Sequence, residues 1–317
     1  MSIPSQARKV VVVGAGSVGT TYVYTLMHTG LAGEIILIDI DQKHLKGEIM
    51  DLEHGLAFVQ PVEIRPGDYS DCADANLIVV TAGAKQVAGQ SRLDLIRRNA
   101  DIIKSICDEI KKCDSDAVLV MVANPVDALT QVALQRLGWP RERVIGSGTV
   151  LDSARFRSML SRHCNVDTRN VHAYILGEHG DSEFAAWSMT HVAGILMKDY
   201  CVVCQGCDPK KRHEEITRYV RDSAYHIIDY KGSTYYAIGL SLARISGAIL
   251  RNEHSILTIS ILLQGEYDID GICLSVPCVV GRTGVERIIT VQLAEDEQAA
   301  LKASAQTLRK VLEEIEV

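Results

Sequence analysis

The sequence contains no apolar run long enough to cross a bilayer. The longest runs, such as residues 255–263, fall well short of the roughly 20 residues that a membrane helix needs. The start of the chain, residues 1–9, has no apolar segment of the length that a secretory signal requires, and it leads directly into a predicted strand. We therefore expect a cytoplasmic protein that has no membrane partner.

Positive charge is also in short supply. The chain has 33 Lys and Arg against 40 Asp and Glu, so its formal net charge is -7. A general nucleic-acid surface needs clustered positive charge, and we expect no nucleic-acid partner. The hydrophobic share of 47% over 317 residues is ordinary for a globular protein and allows two domains.

The cysteines do not form a recognisable disulfide framework. There are nine of them, an odd number, and they are scattered along the chain, which favours reduced thiols. Cys201, Cys204 and Cys207 have a spacing found in some metal sites, but no fourth soft ligand is evident nearby. We expect an exposed loop with free thiols and no bound metal.

A glycine motif follows the first predicted strand. Residues 9–13 read Lys-Val-Val-Val-Val, a continuous apolar run typical of a buried parallel strand, and Gly14-Ala15-Gly16-Ser17-Val18-Gly19 comes next. Gly14 permits a tight turn, Gly16 lets a pyrophosphate approach the backbone, and Gly19 lets the following helix pack closely. The motif predicts a dinucleotide site at the start of this helix.

Asp39 supports the same prediction. It ends a second predicted strand, 20 residues after Gly19, which is the distance expected for the carboxylate that binds the adenosine ribose. An acid at this position would repel a 2′-phosphate. The pattern therefore favours NAD over NADP.

Strands and helices continue to alternate through the first half of the chain. Strands are predicted at 76–81 and 117–122, and helices at 93–113 and 126–137, which indicates a doubly wound parallel sheet of the α/β class. The second half is mixed: a strand at 171–177, helices near 210–230 and 234–250, strands near 255–263, 272–280 and 286–292, and a terminal helix. We predict an NAD-binding domain over 1–147 and an α+β substrate domain over 148–317.

His179 is the candidate for proton transfer. It follows the apolar segment 171–177 in a Gly-Glu-His-Gly turn, and histidine has the unperturbed pKa closest to neutrality. Asp152 and Arg155 are three residues apart in a predicted helix beginning near Leu151, so they share one face and can address one site. On these residues alone, two other interpretations are open. His179 could be an ordinary surface or core histidine, and Asp152 and Arg155 could form a solvated ion pair on a helix.

Taken together, the motifs resemble those of the L-lactate dehydrogenase family, of the bacterial type within the lactate/malate dehydrogenase group. The resemblance spans essentially the whole chain. It is carried by the glycine motif, residues 86–95, Val122-Ala123-Asn124-Pro125-Val126-Asp127, Leu151-Asp152-Ser153-Ala154-Arg155-Phe156-Arg157, Gly177-Glu178-His179-Gly180-Asp181 and Lys231-Gly232-Ser233-Thr234-Tyr235-Tyr236. It implies a Rossmann domain with bound NAD, reversible reduction of pyruvate to L-lactate as the last step of fermentative glycolysis, and a homotetramer.

The resemblance also implies roles for individual residues. His179 would donate the proton, Asp152 would hold the imidazole, Arg155 would bind the substrate carboxylate, and Arg92 would polarise the carbonyl as the 83–92 loop closes. Gln86, Asn124 and Thr234 would be further substrate contacts. The implied cofactor contacts are Gly14, Gly16, Val18, Gly19, Asp39, Tyr69, Gly83, Ala84, Ser105, Val122, Asn124 and Ser147.

Four positions refine this expectation. Gln86 is neutral where malate dehydrogenases carry an arginine, so pyruvate is expected over oxaloacetate. His44 stands where a lysine is common in the family, which leaves its part in cofactor binding open. Arg157 and His172 match the pair that binds fructose 1,6-bisphosphate between subunits of bacterial members, so this sugar phosphate is the expected effector.

Two alternatives remain. The first is a malate dehydrogenase or a dehydrogenase for another L-2-hydroxy acid. The second is a regulatory protein that binds a dinucleotide without turnover. The set of His179, Asp152, Arg155 and Arg92 argues against the second, because such a protein needs no proton donor beside a carboxylate clamp.

Overall fold

The computed structural model describes residues 8–84, 92–203 and 209–315, with the side chains of all of them except residues 92 and 201–212. In the first half, strands and helices alternate as predicted. They are β1 (Lys9–Val13), α1 (Ser17–Thr29), β2 (Glu34–Ile38), α2 (Gln42–His54), β3 (Glu63–Pro66), β4 (Leu77–Val80), α3 (Arg92–Lys111), β5 (Val118–Met121), α4 (Val126–Leu137) and β6 (Val144–Gly146).

The second half is richer in short strands. Its elements are α5 (Val150–Cys164), β7 (Val171–His172), β8 (Ile175–Leu176), β9 (Phe184–Ala185), β10 (His191–Val192), β11 (Ile195–Leu196), α6 (Met197–Val203), α7 (Pro209–Lys231), α8 (Tyr236–Leu250), β12 (Ser255–Gln264), β13 (Asp270–Gly281), β14 (Gly284–Ile288) and α9 (Glu295–Glu314). No helix within the described ranges has both the length and the apolar character of a membrane span.

One nine-stranded sheet runs through both halves. Its order is β3-β2-β1-β4-β5-β6-β12-β13-β14, and the first six strands are parallel. The α/β doubly wound sheet that the sequence predicts is therefore confirmed. The three long strands of the second half extend it in antiparallel fashion, starting where Ser260 pairs with Gly146.

The hydrophobic pattern explains the burial of this sheet. All five residues of β1 and all four of both β4 and β5 are buried, as expected for parallel strands covered by helices on both faces. A second, smaller core lies apart from the sheet, around Phe156, Val171, Ile175 and Val220. It anchors α5 and α7 to the short strands of the second half.

The predicted single strand over 171–177 is wrong. β7 pairs with β10 and β8 pairs with β9, so the segment contributes to two different small sheets. At the break, the carbonyl oxygen of Ala173 accepts a hydrogen bond from Arg157 Nε at 3.0 Å. That of Tyr174 accepts one from the backbone of Ala186 at 2.9 Å. The side chain of Arg157 therefore takes the place of a backbone hydrogen bond between strands.

A buried hydrogen bond joins the two halves away from the sheet. Tyr22 of α1 and Ser246 of α8 are both almost fully buried, and their hydroxyl oxygens are 2.6 Å apart. Ser246 also donates to the carbonyl oxygen of Leu242, so it can accept from Tyr22. The pair fixes α8 on α1 and thereby the loop that precedes α8.

We expect Tyr22→Phe and Ser246→Ala each to lower the free energy of unfolding by about 1 kcal/mol, because each removes one buried hydrogen bond. The double variant should cost less than the sum of the two, by a similar amount. Urea unfolding of the three variants and the wild type measures this coupling. Strictly additive losses would show that the two hydroxyl groups do not act together.

Candidate active site

The glycine turn after β1 is shaped by close approach at two positions and by open space at a third. Gly14 has φ +108°, and a Cβ on Gly19 would lie 2.0 Å from the carbonyl oxygen of Gly14. A Cβ on Gly16 would meet nothing within 4 Å. Gly16 is also the N-cap of α1, whose helix dipole favours an anion there. The turn therefore leaves room for a phosphate group at Gly16, as the motif predicts.

Asp39 lies against this turn. Its carboxylate accepts hydrogen bonds from the backbone N–H of Ala15 at 2.7 Å and of Asp41 at 2.9 Å. His44 meets the same turn from α2, with Nε2 3.0 Å from the carbonyl oxygen of Ala15. His44 thus acts on the glycine turn through its backbone. This contact places His44 beside the predicted dinucleotide site.

A cavity of about 390 Å³ runs from the glycine turn to the second half of the chain. It lies beyond the carboxyl ends of β1, β4 and β5, where parallel sheets of this class bind ligands. The predicted site residues that line it are Gly16, Val18, Gly19, Gly83, Ala84, Val122, Asn124, Ser147, Arg155, His179 and Thr234. Residues from both halves therefore meet in one cavity.

Five of the predicted catalytic and cofactor residues that the structure describes do not line this cavity. Gly14 and Asp39 support the turn from behind, and Asp152 lies behind His179. Tyr69 is half-buried, and its carbonyl oxygen accepts from Cys113 Sγ at 2.9 Å. Ser105 lies on the exposed face of α3. No contact shown by the structure connects Tyr69 or Ser105 to the cavity, so their cofactor roles stay predictions.

His179 is held by two carboxylates on different helices. Its Nδ1 is 2.7 Å from Asp152 of α5, and its backbone N–H donates to Asp127 of α4 at 2.8 Å. Burial lowers the pKa of His179, but the charge and hydrogen bond of Asp152 outweigh burial and raise it to about 9. Because Nδ1 faces Asp152, Nε2 is the nitrogen left for the cavity that His179 lines.

Asp152 connects His179 to Arg155. Its other carboxylate oxygen accepts from Arg155 Nη1 at 2.6 Å, and the side chain is only 2% exposed. Burial raises the pKa of Asp152, but His179 and Arg155 outweigh burial and hold it below the usual value. The predicted pair is therefore a buried ion pair at the cavity wall and not a solvated one.

The same geometry accounts for a cluster with the spacing of a metal site. Ligand atoms of Asp152, His179 and Glu183 lie within 4.8 Å of one another. Both oxygens of Asp152 are engaged, one by His179 and one by Arg155. Hydrogen bonding and ion pairing thus explain this spacing.

Comparison with known proteins identifies the family. A model described as lactate/malate dehydrogenase, NAD binding domain, matches residues 8–146. A model described as lactate/malate dehydrogenase, alpha/beta C-terminal domain, matches residues 149–317. The chain belongs to the lactate/malate dehydrogenase family.

Individual relatives agree along the full length. The chain is 56% identical to an L-lactate dehydrogenase of Treponema denticola, covering 97% of this chain and 98% of the relative. It is 51% identical to one of Acetivibrio thermocellus, covering 98% of each. Among solved structures, a lactate dehydrogenase from a Medee basin deep-sea metagenome library has a TM-score of 0.95 at 45% identity, covering 98% of this chain and 100% of that one.

A second structural relative has been solved in two forms. The minor L-lactate dehydrogenase of Enterococcus mundtii has a TM-score of 0.94 in its ligands-bound form, at 42% identity and covering 97% of this chain and 98% of that one. Membership of the family confirms the expectation of an NAD-dependent enzyme of the L-lactate dehydrogenase type. The glycine turn fits this cofactor, because Gly16 offers an open cradle at a helix N-terminus.

Two buried residues that the sequence analysis left without a role support the site of this dehydrogenase. Asn99 of α3 donates to the carbonyl oxygen of Asn124 and accepts from the backbone of Ala84, at 2.9 and 2.8 Å. Asp127 is buried, which raises its pKa to about 6, and it holds the backbone of His179. Polar side chains on otherwise buried helix faces were the signal that could have identified both.

Some predicted residues lie outside the described part of the chain. Gln86 is one of them, and Arg92 begins α3 without a described side chain. The side chains of Cys201, Cys204 and Cys207 also lie outside it. The predicted roles of Gln86 and Arg92, and the prediction for the three cysteines, therefore stay predictions.

Two glycine substitutions should separate cofactor binding from folding. We expect Gly16→Ala to weaken NADH binding about tenfold, ~1.4 kcal/mol, because the new methyl group enters the open cradle without touching the protein. Gly19→Ala should instead destabilise the fold by about 1–3 kcal/mol, because its Cβ would collide with the carbonyl oxygen of Gly14. NADH fluorescence titration and thermal unfolding of both variants measure the two effects. A Gly16→Ala variant with wild-type NADH affinity would contradict the assignment of the cradle.

Proposed function

We propose that the protein is an L-lactate dehydrogenase that reduces pyruvate and, in reverse, oxidises L-lactate. The observation that carries this proposal is a hydrogen-bonded set of three residues at the cavity that begins at Gly16. In it, Asp152 binds both His179 and Arg155. It sets a proton donor and a carboxylate-binding cation side by side. NADH, when bound, supplies the hydride that the carbonyl carbon receives.

His179 supplies the proton. With its pKa raised to about 9, the imidazole is protonated at neutral pH and can donate from Nε2 to the carbonyl oxygen. Asp152 stabilises the cationic ring and fixes its orientation, and Asp127 fixes the backbone beneath it. In lactate oxidation the neutral ring accepts the proton, so the two directions favour opposite sides of the same titration.

Arg155 binds the substrate carboxylate. One guanidinium nitrogen is taken by Asp152, which orients the planar group along the cavity wall. The remaining donors can form the paired hydrogen bonds that suit a carboxylate. Asn124 and Thr234 line the same cavity and make further contacts with substrate or nicotinamide. The resemblance adds two residues to this proposal: Gln86 as a substrate contact and Arg92 as the cation that polarises the carbonyl.

The chain divides this work between its two predicted domains. Residues 1–147 bind the cofactor, through Gly14, Gly16, Val18, Gly19, Asp39, Tyr69, Gly83, Ala84, Ser105, Val122, Asn124 and Ser147. Residues 148–317 supply Asp152, Arg155, His179 and Thr234. Members of both sets line one cavity, which supports this division.

We expect the wild type to oxidise NADH much faster with pyruvate than with oxaloacetate. Gln86 is neutral, so closing the loop over oxaloacetate would bury an unpaired carboxylate at a cost of several kcal/mol. Gln86→Arg should move the preference toward oxaloacetate. Equal kcat/KM of the wild type for both acids would instead favour the malate or general 2-hydroxy-acid alternative.

His179→Asn is the control that ties turnover to this site. It should nearly abolish pyruvate reduction while NADH affinity stays close to that of the wild type. A wild type that binds NADH but reduces no 2-oxo acid would favour the regulatory alternative. Near-normal turnover in His179→Asn would place the proton donor elsewhere.

We further propose that the enzyme completes fermentative glycolysis in the cytoplasm and is activated by fructose 1,6-bisphosphate. Arg157 and Arg244 line a cavity of about 310 Å³ beside α8, and two guanidinium groups suit a phosphate anion. Arg157 bonds the carbonyl oxygen of Ala173, next to the exposed His172. His191 lies opposite His172 in the β7–β10 pair, so a second imidazole is close to the site.

The exposed apolar surface supports a homotetramer, the assembly usual in the family. Tyr24, Tyr236 and Leu240 are each more than half exposed, and they line a groove between α1 and α8. A groove with this much apolar surface suits contact with another subunit. The cavity lined by Arg157 and Arg244 lies next to this groove, since Leu240 of α8 lines both the cavity and the groove.

We expect fructose 1,6-bisphosphate to lower the apparent KM for pyruvate several-fold, a coupling of about 1–3 kcal/mol. The comparison is made at pH 6 and at pH 8. Pyruvate saturation curves at both pH values, for the wild type and Arg157→Gln, measure this. Arg162→Gln, on the exposed face of the same helix, is the matched control.

Loss of activation in Arg157→Gln alone, with sedimentation showing an unchanged oligomer, supports the effector site. Activation that survives in Arg157→Gln would contradict it. So would identical wild-type curves with and without the effector at both pH values.

A further inference from the structure

Glu183 is a buried carboxyl group that the mechanism above does not use. Its side chain is 6% exposed, and its Oε2 lies 4.0 Å from Nδ1 of His179. Asp152 approaches the same nitrogen at 2.7 Å. The imidazole therefore faces two carboxyl groups on the side away from the cavity, one in hydrogen-bond contact and one just beyond it.

The charges around Glu183 come from three packed elements. Asp152 and Arg155 face it from α5, Arg221 faces it from α7, and His179 faces it from its own turn. Asp127 of α4 accepts a hydrogen bond from the backbone of His179, and Glu178 precedes His179 in the chain. The cations that oppose a charge on Glu183 are the protonated His179, Arg155 and Arg221. Of these, His179 and Arg155 are also paired with Asp152.

In these surroundings the ionisation of Glu183 and the protonation of His179 depend on each other. Burial, and then the charge of Asp152, raise the pKa of Glu183 well above its usual value. The charges of His179, Arg155 and Arg221 act in the opposite direction. Glu183 is therefore ionised most readily while His179 carries its proton, and an ionised Glu183 in turn stabilises that proton.

We propose that Glu183 is a positioning residue that works with Asp152 to retain the proton on His179, and so sets the pH at which His179 changes from donor to acceptor. This rests on the proposed proton transfer by His179. Asp152 alone would provide the orientation, because it makes the hydrogen bond. Glu183, when it is ionised beside the protonated His179, adds charge without adding a hydrogen bond, so its replacement should change the titration of His179 more than the geometry.

The sign of the effect is opposite for the two directions of reaction. Pyruvate reduction needs protonated His179 and falls as pH rises through its titration, whereas lactate oxidation needs neutral His179 and rises there. Glu183→Gln should move both midpoints to lower pH, by about one unit for an opposite charge at 4–6 Å. Lactate oxidation near neutrality should therefore increase relative to pyruvate reduction. A residue that only supports the fold would lower both activities without moving either midpoint.

The experiment measures kcat/KM against pH for both substrates. The variants are Glu183→Gln, which removes the charge at nearly constant shape, and Glu183→Asp, which keeps the charge but draws it back by one methylene. Glu313→Gln, an exposed position on α9, removes the same charge far from the site. We expect a downward shift in Glu183→Gln, a smaller one in Glu183→Asp, and none in Glu313→Gln.

A second readout follows His179 without turnover. Diethyl pyrocarbonate reacts with neutral imidazole, so the pH dependence of His179 modification, read by peptide mass spectrometry, gives its titration directly. The midpoint should shift in Glu183→Gln as the kinetic midpoints do. A wild-type protein whose His179 is modified normally but which reduces no pyruvate would contradict the proposed function. The effect of Glu183 on the titration of His179 could still be measured. Unmoved midpoints in Glu183→Gln, or lower activity with unmoved midpoints, would overturn the role of Glu183.

Discussion

The buried carboxylate of Asp152 is the constraint on which the site depends. An ionised carboxylate that is nearly inaccessible to water is tolerated only when its oxygens are paired. Here one oxygen faces His179 and the other accepts from Arg155, at 2.7 and 2.6 Å. The proton donor and the carboxylate clamp are therefore held by the same group, and the distance between them is fixed by one side chain. Removing Asp152 would disturb both functions at once, so their losses could not be assigned separately.

The scaffold brings that carboxylate to the cofactor through a continuous sheet. β6 ends at Gly146, and β12 pairs with it, so the chain that enters α5 starts from the middle of the nine-stranded sheet. The glycine turn follows β1, two strands away from β5, whose end leads to Asn124. Since the ends of parallel strands meet at one edge, the glycine turn at residue 16 and Asn124 line the same cavity. His179 follows β8 of a separate small sheet and is held at this cavity by Asp127 and Asp152.

Much of this arrangement could be predicted because strong local signals mark it. Apolar runs located β1, β4 and β5, and the helix over 126–137 was predicted with the bounds that it has. The division of 171–177 into two strands could not be predicted, because it depends on Arg157, a residue from another element, binding the carbonyl oxygen of Ala173. Asn99 and Asp127 were likewise missed as site supports. Their roles come from backbone groups that only the folded chain brings near them.

Helix α5 carries both the residues of the candidate active site and Arg157 of the proposed effector site. Arg155 lines the cavity and Asp152 holds His179 from behind, whereas Arg157, two residues beyond Arg155, donates to the carbonyl oxygen of Ala173 beside β7. Between them Phe156 is fully buried in the smaller core, where it packs edge-on against Trp187. Helices packed in this way can shift as rigid elements, and α5 is a continuous helix of 15 residues. Such a shift of α5 at Arg157 would also move Asp152, whose two hydrogen bonds connect it to His179 and Arg155.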